Sequence, residues 1–182
     1  MSALDAVRAR RSYPRVTEDA PSHDELARLV DAAAGVADHG ALRPWRLIEL
    51  RGADRERLGE VFEAGGVCAE KALRAPLLIA VVASRRPSGK VPGWEQDAVA
   101  SGIAHMLSLL LDEAGWGVMW RTGPLTRDTK VAKLHGLGRR EKLLGWLYVG
   151  GKPERSKPER EHALRLEQHL CALEATTRSR SR

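Results

Sequence analysis

Three short stretches carry residue types able to do chemistry. Arg10, Arg11 and Ser12 set two guanidinium forks and a hydroxyl side by side where a short helical stretch gives way to a proline-containing loop, a donor set that suits a phosphate monoester. The same residues also read as a solvated basic helix end that complements the helix dipole. Trp120, Arg121, Thr122 and Gly123 close a short apolar run. A turn there can aim backbone N–H groups and a guanidinium at a bound ring, or be a turn and nothing more. Asp38 and His39 stand together in a glycine-containing loop, and a carboxylate beside an imidazole is a pairing that general acid-base catalysis uses. Adjacency in sequence is weak support for it. His105, inside an apolar helical stretch, reads as structural.

Other chemistries lack their motifs. No GxGxxG follows a strand, and the phosphate loop GxxxxGKS/T, the GxSxG elbow and HExxH are all missing, so dinucleotide-fold, P-loop, serine-hydrolase and zinc-protease readings have no support. Cys68 and Cys171 lie far apart without metal-type spacing; neither zinc nor a disulfide framework is indicated, and reduced thiols fit a cytoplasmic protein. The opening MSALDAVRARRS turns charged almost at once, unlike a signal peptide. No uninterrupted apolar run approaches the ~20 residues of a membrane span. The net charge is +6, but Arg178, Arg180 and Arg182 lie in the tail TTRSRSR, and removing them leaves +3 on the body. The high pI is thus largely a property of residues 176–182, expected to be a solvated basic tail. Aromatics make up only 4% and no recognition motif is present, so a nucleic-acid-binding module is the lesser alternative and no nucleic-acid partner is expected.

The elements that must position these residues follow from periodicity. Trp94–Gly115 is apolar nearly all round at helical spacing, which predicts a buried helix, either the centre of the core or the middle of a dimer interface. Ser2 caps a helix to about Arg10 with Leu4 and Val7 on one face, and Ser22 with Glu25 forms a capping box for a helix carrying Leu26, Leu29, Val30 and Ala33, stopped by Gly35. Strands are predicted at Trp45–Leu50, in LLIAVVA after Pro76, at Val118–Arg121 and at Leu143–Val149, the second of them buried on both faces. Helical pieces follow Asp54, run through Val67 to Leu73, and start at Asp128 or Thr126. Glu159–Glu174 reads as a charged amphipathic helix with Leu164, Leu166, Leu170 and Leu173. Four strands and about six helices, not strictly alternating, predict one α+β domain of three layers over residues 1–175.

In order along the chain, RARRSYPR, ADHGALRPWRL, KVPGWEQDA, GVMWRTGPLT and LLGWLYVGGKP resemble the nitroreductase family of FMN-dependent NAD(P)H oxidoreductases, closest to its short bacterial members. The resemblance spans residues 3 to about 153. No single motif is decisive; five in order are. It implies a three-layer homodimer whose central mixed or antiparallel sheet is flanked by helices, with two FMN sites built from both chains. Carried over by position, Arg10, Arg11 and Ser12 would hold the FMN phosphate and ribityl chain, Gly35 and His39 would reach the flavin from the partner chain, and Trp120, Arg121 and Thr122 would line its ring. NAD(P)H would pass hydride to flavin N5, and a nitroaromatic or quinone-like acceptor would then take its place, in ping-pong fashion and without a catalytic side chain or metal. Another reaction on the same fold, dehalogenation or flavin destruction, is the alternative.

Overall fold

LLIAVVA sits where its β-branched run predicts. The computed structural model describes residues 2–154 and 164–173, and in it the second strand, β2 (Leu77–Ser84), is buried at every position. β1 (Trp45–Leu50) pairs with one edge of β2, β4 (Glu141–Gly151) with the other, and β3 (Trp116–Arg121) lies outside β4, giving the order β1-β2-β4-β3, antiparallel throughout. Alternation then divides the side chains between two cores. Leu77, Ile79 and Val81 join Val118, Leu147 and Val149 against α4 (Gly93–Glu113) and α2 (His23–Ala33), through Ala104, Leu107, Leu111, Leu26 and Ala33. Leu78, Ala80 and Val82 join Trp146 and Tyr148 against α3 (Ala53–Ala64) and α5 (Thr129–Leu134), through Leu58, Phe62 and Val131. The expected three-layer α+β architecture is therefore present, at about 1.5–3 kcal/mol for each large side chain taken out of water.

The helix starts carry local detail. In α1 (Ala3–Ala9) Ser2 and Asp5 form a reciprocal capping box. In α2 only half of the predicted box forms: Ser22 Oγ accepts the Glu25 N–H at 3.2 Å, while the Glu25 carboxylate instead accepts Trp116 Nε1–H at 2.7 Å and ties the helix to β3. Asp128, rather than Thr126, caps α5. The piece at 67–73 is a 3-10 turn, Ala69–Leu73. α4 differs from the all-round buried helix its composition predicts. Val99, Ile103, Leu107 and Leu111 are buried, but Ala98, His105 and Met106 on the opposite face are exposed, because one sheet and α2 cover only one side.

Of the predicted C-terminal helix, residues 159–163 and 174 lie outside the described residues, as does the basic tail. Within 164–173 the chain makes a 3-10 turn, Leu166–Gln168, and Leu164, Leu166, Leu170 and Leu173 are exposed. An amphipathic segment whose leucines stay exposed gains little from helix formation.

Residues 13–19 form a strap over the glycines of β3 and β4. Tyr13 N–H donates to Val118 O at 3.0 Å, Thr17 N–H to Gly151 O at 2.9 Å, and Gly151 N–H to Asp19 O at 2.9 Å. A Cβ on Gly117 would stand 2.9 Å from Val16 Cγ1, and one on Gly150 would stand 2.6 Å from Thr17 O. Glycine at these two positions lets the strap lie flat, which fixes the chain immediately after Arg10–Ser12 to the strand that ends in Trp120–Arg121.

Candidate functional site

A cavity of about 470 Å³ opens where β3 ends, walled by Phe62, Trp146, Tyr148 and Leu125, with Lys71 and the Trp120–Gly123 turn completing it. A second hollow of about 470 Å³ shares Arg121 and adds Arg15 and Arg74. Neither hollow is lined by a carboxylate. Gly145 makes the close approach of β3 possible: its φ is +146°, and a Cβ there would stand 2.7 Å from Trp120 Nε1 and press on the Arg121 carbonyl. The β2–β4 register slips beside it, between Val81 and Val82, which leaves Leu144 as the extra residue of a bulge.

Two donors at this point are unsatisfied. Trp120 Nε1 and Arg121 Nε are buried and have no hydrogen-bond partner among the described residues, a rare state for buried N–H groups. The Trp120 ring stands edge-on to His105 at 5.1 Å, and the Arg121 guanidinium stacks over Tyr148 at 5.1 Å. Burial pushes the Tyr148 hydroxyl up to about 12, only partly offset by Arg121 and Arg74, so it stays protonated. Trp146 is held from behind the sheet face: its Nε1–H donates to His135 Nε2 at 3.1 Å, and His135 Nδ1 lies 2.8 Å from Val131 O. Those two contacts require a neutral imidazole carrying its proton on Nδ1, and burial moves its pKa below the ordinary value.

The structure brings together some of the residues singled out from sequence and separates others. Trp120, Arg121 and Thr122 line one cavity. Arg11 turns back on α1, donating from Nη1 to the carbonyls of Arg8, Ala9 and Arg10, the helix-end reading of that residue; Arg10 is half-buried and Ser12 exposed. The Asp38–His39 pair does not form. Asp38 accepts the Arg43 N–H at 2.7 Å, and His39 Nδ1 lies 3.0 Å from Glu95 Oε2 in the first turn of α4. Their loop is bent through left-handed Ala41 (φ +49°) and Arg43 (φ +46°), a conformation costing about 1–3 kcal/mol at each residue that is not glycine. Gly35, exposed just past α2, and His39 do not line the cavity of their own chain.

Sequence reasoning missed Lys71, Arg74, Arg15, Phe62, Trp146 and Tyr148. A signal existed for several. Lys71 and Arg74 stand three apart in AEKALRAP, hence on one face of a helical turn, and Trp146 and Tyr148 stand two apart in a strand, hence on one face of a sheet.

Comparison with known proteins gives the family and the fold. The nitroreductase family model matches residues 7–67 and 63–151. A protein of Escherichia coli named "Putative NAD(P)H nitroreductase YdjA" is 34% identical over 161 residues, covering 82% of this chain and 88% of its own. One of Haemophilus influenzae named "Putative NAD(P)H nitroreductase" is 28% identical over 171 residues, covering 87% and 93%. The crystal structure of a nitroreductase-like family protein from Bacillus cereus matches in fold with a TM-score of 0.80, at 22% identity over 95% of this chain and 97% of that one. An FMN-dependent nitroreductase from Clostridium difficile matches with a TM-score of 0.72, at 18% identity over 93% and 98%.

Proposed function

The chain belongs to the nitroreductase family of oxidoreductases, and from that premise we propose that it binds FMN, takes hydride from NAD(P)H and delivers it by a ping-pong route to a small nitroaromatic or quinone-like acceptor. The observation that carries this reading is the cavity at the end of β3: aromatic walls, the Trp120–Gly123 turn at its mouth, and only cations among its charged groups. A flat ring rich in acceptor atoms and able to carry negative charge is what such a site fits, and FMN has that chemistry.

Trp120, Arg121 and Thr122 would line the ring, with Lys71 beside them. Arg10, Arg11 and Ser12, fixed next to β3 by the strap, would hold the phosphate and ribityl chain, Arg11 giving up its helix-end carbonyls to do so. When bound, FMN supplies the hydride-accepting and hydride-releasing chemistry. The chain's own contribution is electrostatic and steric. Lys71, Arg74 and Arg121 place positive charge where negative charge develops, in a partly enclosed site where it acts more strongly than in water. Tyr148, held protonated by burial, adds no competing negative charge, and Phe62 and Trp146 keep water from one wall. No side chain has to act as a nucleophile.

The proposed assembly is a cytoplasmic homodimer. Gly35 and His39 lie outside the cavity of their own chain, so they can meet a flavin only from a second copy, and Leu4, Val7 and Met106 offer exposed apolar surface for one. No helix among the described residues is long and apolar enough to cross a membrane. Steady-state rates measured over a grid of donor and acceptor concentrations test the route. Parallel double-reciprocal lines are expected; intersecting lines would mean that donor and acceptor occupy the site together and would overturn the ping-pong reading.

A further inference from the structure

SRRPSGK after β2 and GRREK before β4 are far apart in sequence, yet the sheet joins them. Ser84 pairs with Glu141, and Arg85 N–H donates to Arg140 O at 3.0 Å. Between the two stretches lies a cleft of about 780 Å³ lined by Arg85, Arg86, Arg139, Arg140, Pro87 and Glu141. Its two nearby carboxylates are already paired. Asp97 takes both arms of Arg85, with Lys142 3.6 Å away, and Glu141 takes both arms of Arg46 at 2.7 and 2.9 Å. Arg86, Arg139 and Arg140 are exposed, and their guanidiniums have no hydrogen-bond or ion-pair partner among the described residues.

These arginines stand on fixed backbone. The Gln96 side chain, 2% exposed, accepts Arg86 N–H at 2.7 Å and donates to the carbonyls of Arg86 and Val91 at 3.0 Å each. The loop is thus clamped from α4, and an anion arriving between the rims has only side chains to order. The cleft and the cavity at the end of β3 lie at the two ends of one row of hollows. The cleft shares Gly138 and Glu141 with a hollow along Thr126–Thr129, and the turn Pro124–Arg127 borders both that hollow and the cavity. Along β4 the step from Trp146 at the cavity to Glu141 at the cleft is about 16 Å at the usual strand rise, a span that an extended dinucleotide can bridge.

We infer that Arg86, Arg139 and Arg140 bind the 2′-phosphate of NADPH and make the chain select NADPH over NADH. A phosphate monoester offers three acceptor oxygens and up to two charges to guanidinium forks, whereas the bare 2′-hydroxyl of NADH offers neither. The inference rests on the donor role proposed above, but its site is testable without turnover.

Calorimetric titration of the purified protein with 2′,5′-ADP, 5′-AMP and inorganic phosphate isolates the cleft. Wild type should bind 2′,5′-ADP about tenfold or more tightly than either of the others, and R139Q/R140Q and R86Q should each lose most of that margin, at about tenfold per charge-assisted pair removed. With FMN bound, the same variants should lower kcat/KM for NADPH by about tenfold or more and leave NADH within about threefold. Equal binding of 2′,5′-ADP and 5′-AMP would overturn the inference, as would equal loss with both donors or competition by inorganic phosphate as effective as by 2′,5′-ADP. Should neither donor be oxidised, the titration alone decides the site, and the failure belongs to the oxidoreductase reading.

Discussion

Replacing Gly145 by alanine should damage the flavin site from behind. At φ +146° the new side chain is strained whatever the space, and its Cβ would stand 2.7 Å from Trp120 Nε1 and 3.1 Å from Thr122 Cγ2, against the Arg121 carbonyl. A carbonyl cannot rotate away as a flexible side chain can, so the end of β3 has to shift. The backbone term is about 1–3 kcal/mol and the overpacking term about another 1–3 kcal/mol, together about 2–6 kcal/mol from a domain whose whole stability is of order 5–15 kcal/mol. Urea unfolding reads this sum. G66A supplies the control, since Gly66 has φ +76° but nothing within 4 Å of its Cβ; it should show the backbone term alone and leave the site untouched. The folded fraction of G145A should also bind FMN at least about tenfold more weakly, because small displacements of positioning groups are costly. Unfolding and FMN uptake equal to those of wild type would refute the claim that Gly145 sets the position of Trp120–Thr122.

Acid should weaken the fold in two steps. His135 has a folded pKa below its ordinary 6.5, so its contribution is full above that pH and falls as pH drops toward the folded value, by at most about 1.4 kcal/mol per pH unit. H135L should remove this slope and, by leaving the buried Trp146 N–H without an acceptor, cost about 1–3 kcal/mol at neutral pH, measured by urea unfolding across pH. Glu141, held at about 2 against an ordinary 4.5 chiefly by Arg46, contributes above pH 4.5 and loses that contribution as pH falls to about 2; unfolding curves of E141Q should show a smaller second fall, the remainder coming from Asp97 and Glu49, which are also held below their ordinary values. K71M should weaken FMN binding several-fold in a fluorescence titration while leaving the unfolding midpoint unchanged, since Lys71 is exposed and bonded to nothing described.

Most of the scaffold was legible because single stretches determine it. The β-branched run of β2, flanked by turn signals, fits a strand buried on both faces, and Asp128, Ser2 and Ser22 start helices by short-range hydrogen bonds that spacing reveals. What stayed hidden depends on contacts between distant segments. The spacing of Ser22 and Glu25 predicts a full capping box, but Trp116, far along the chain, claims the Glu25 carboxylate. Asp38 and His39 looked like a pair until the left-handed loop turned one toward Arg43 and the other toward Glu95. Trp120–Thr122 are legible as a turn at a strand end, whereas Lys71 and Arg74 join them only because the 3-10 turn after α3 carries that segment to the β3 edge. The leucines of 164–173 show the limit of periodicity, which indicates an apolar face without saying whether anything covers it.

The visible absorbance spectrum of the purified, dialysed protein, recorded before and after anaerobic addition of NADPH and then NADH, tests the central claim most directly. A flavin spectrum that bleaches on addition of a donor is predicted. A colourless protein that also fails to take up added FMN would contradict the account, leaving the cavity at the end of β3 without the ligand its aromatic walls and cations were argued to hold.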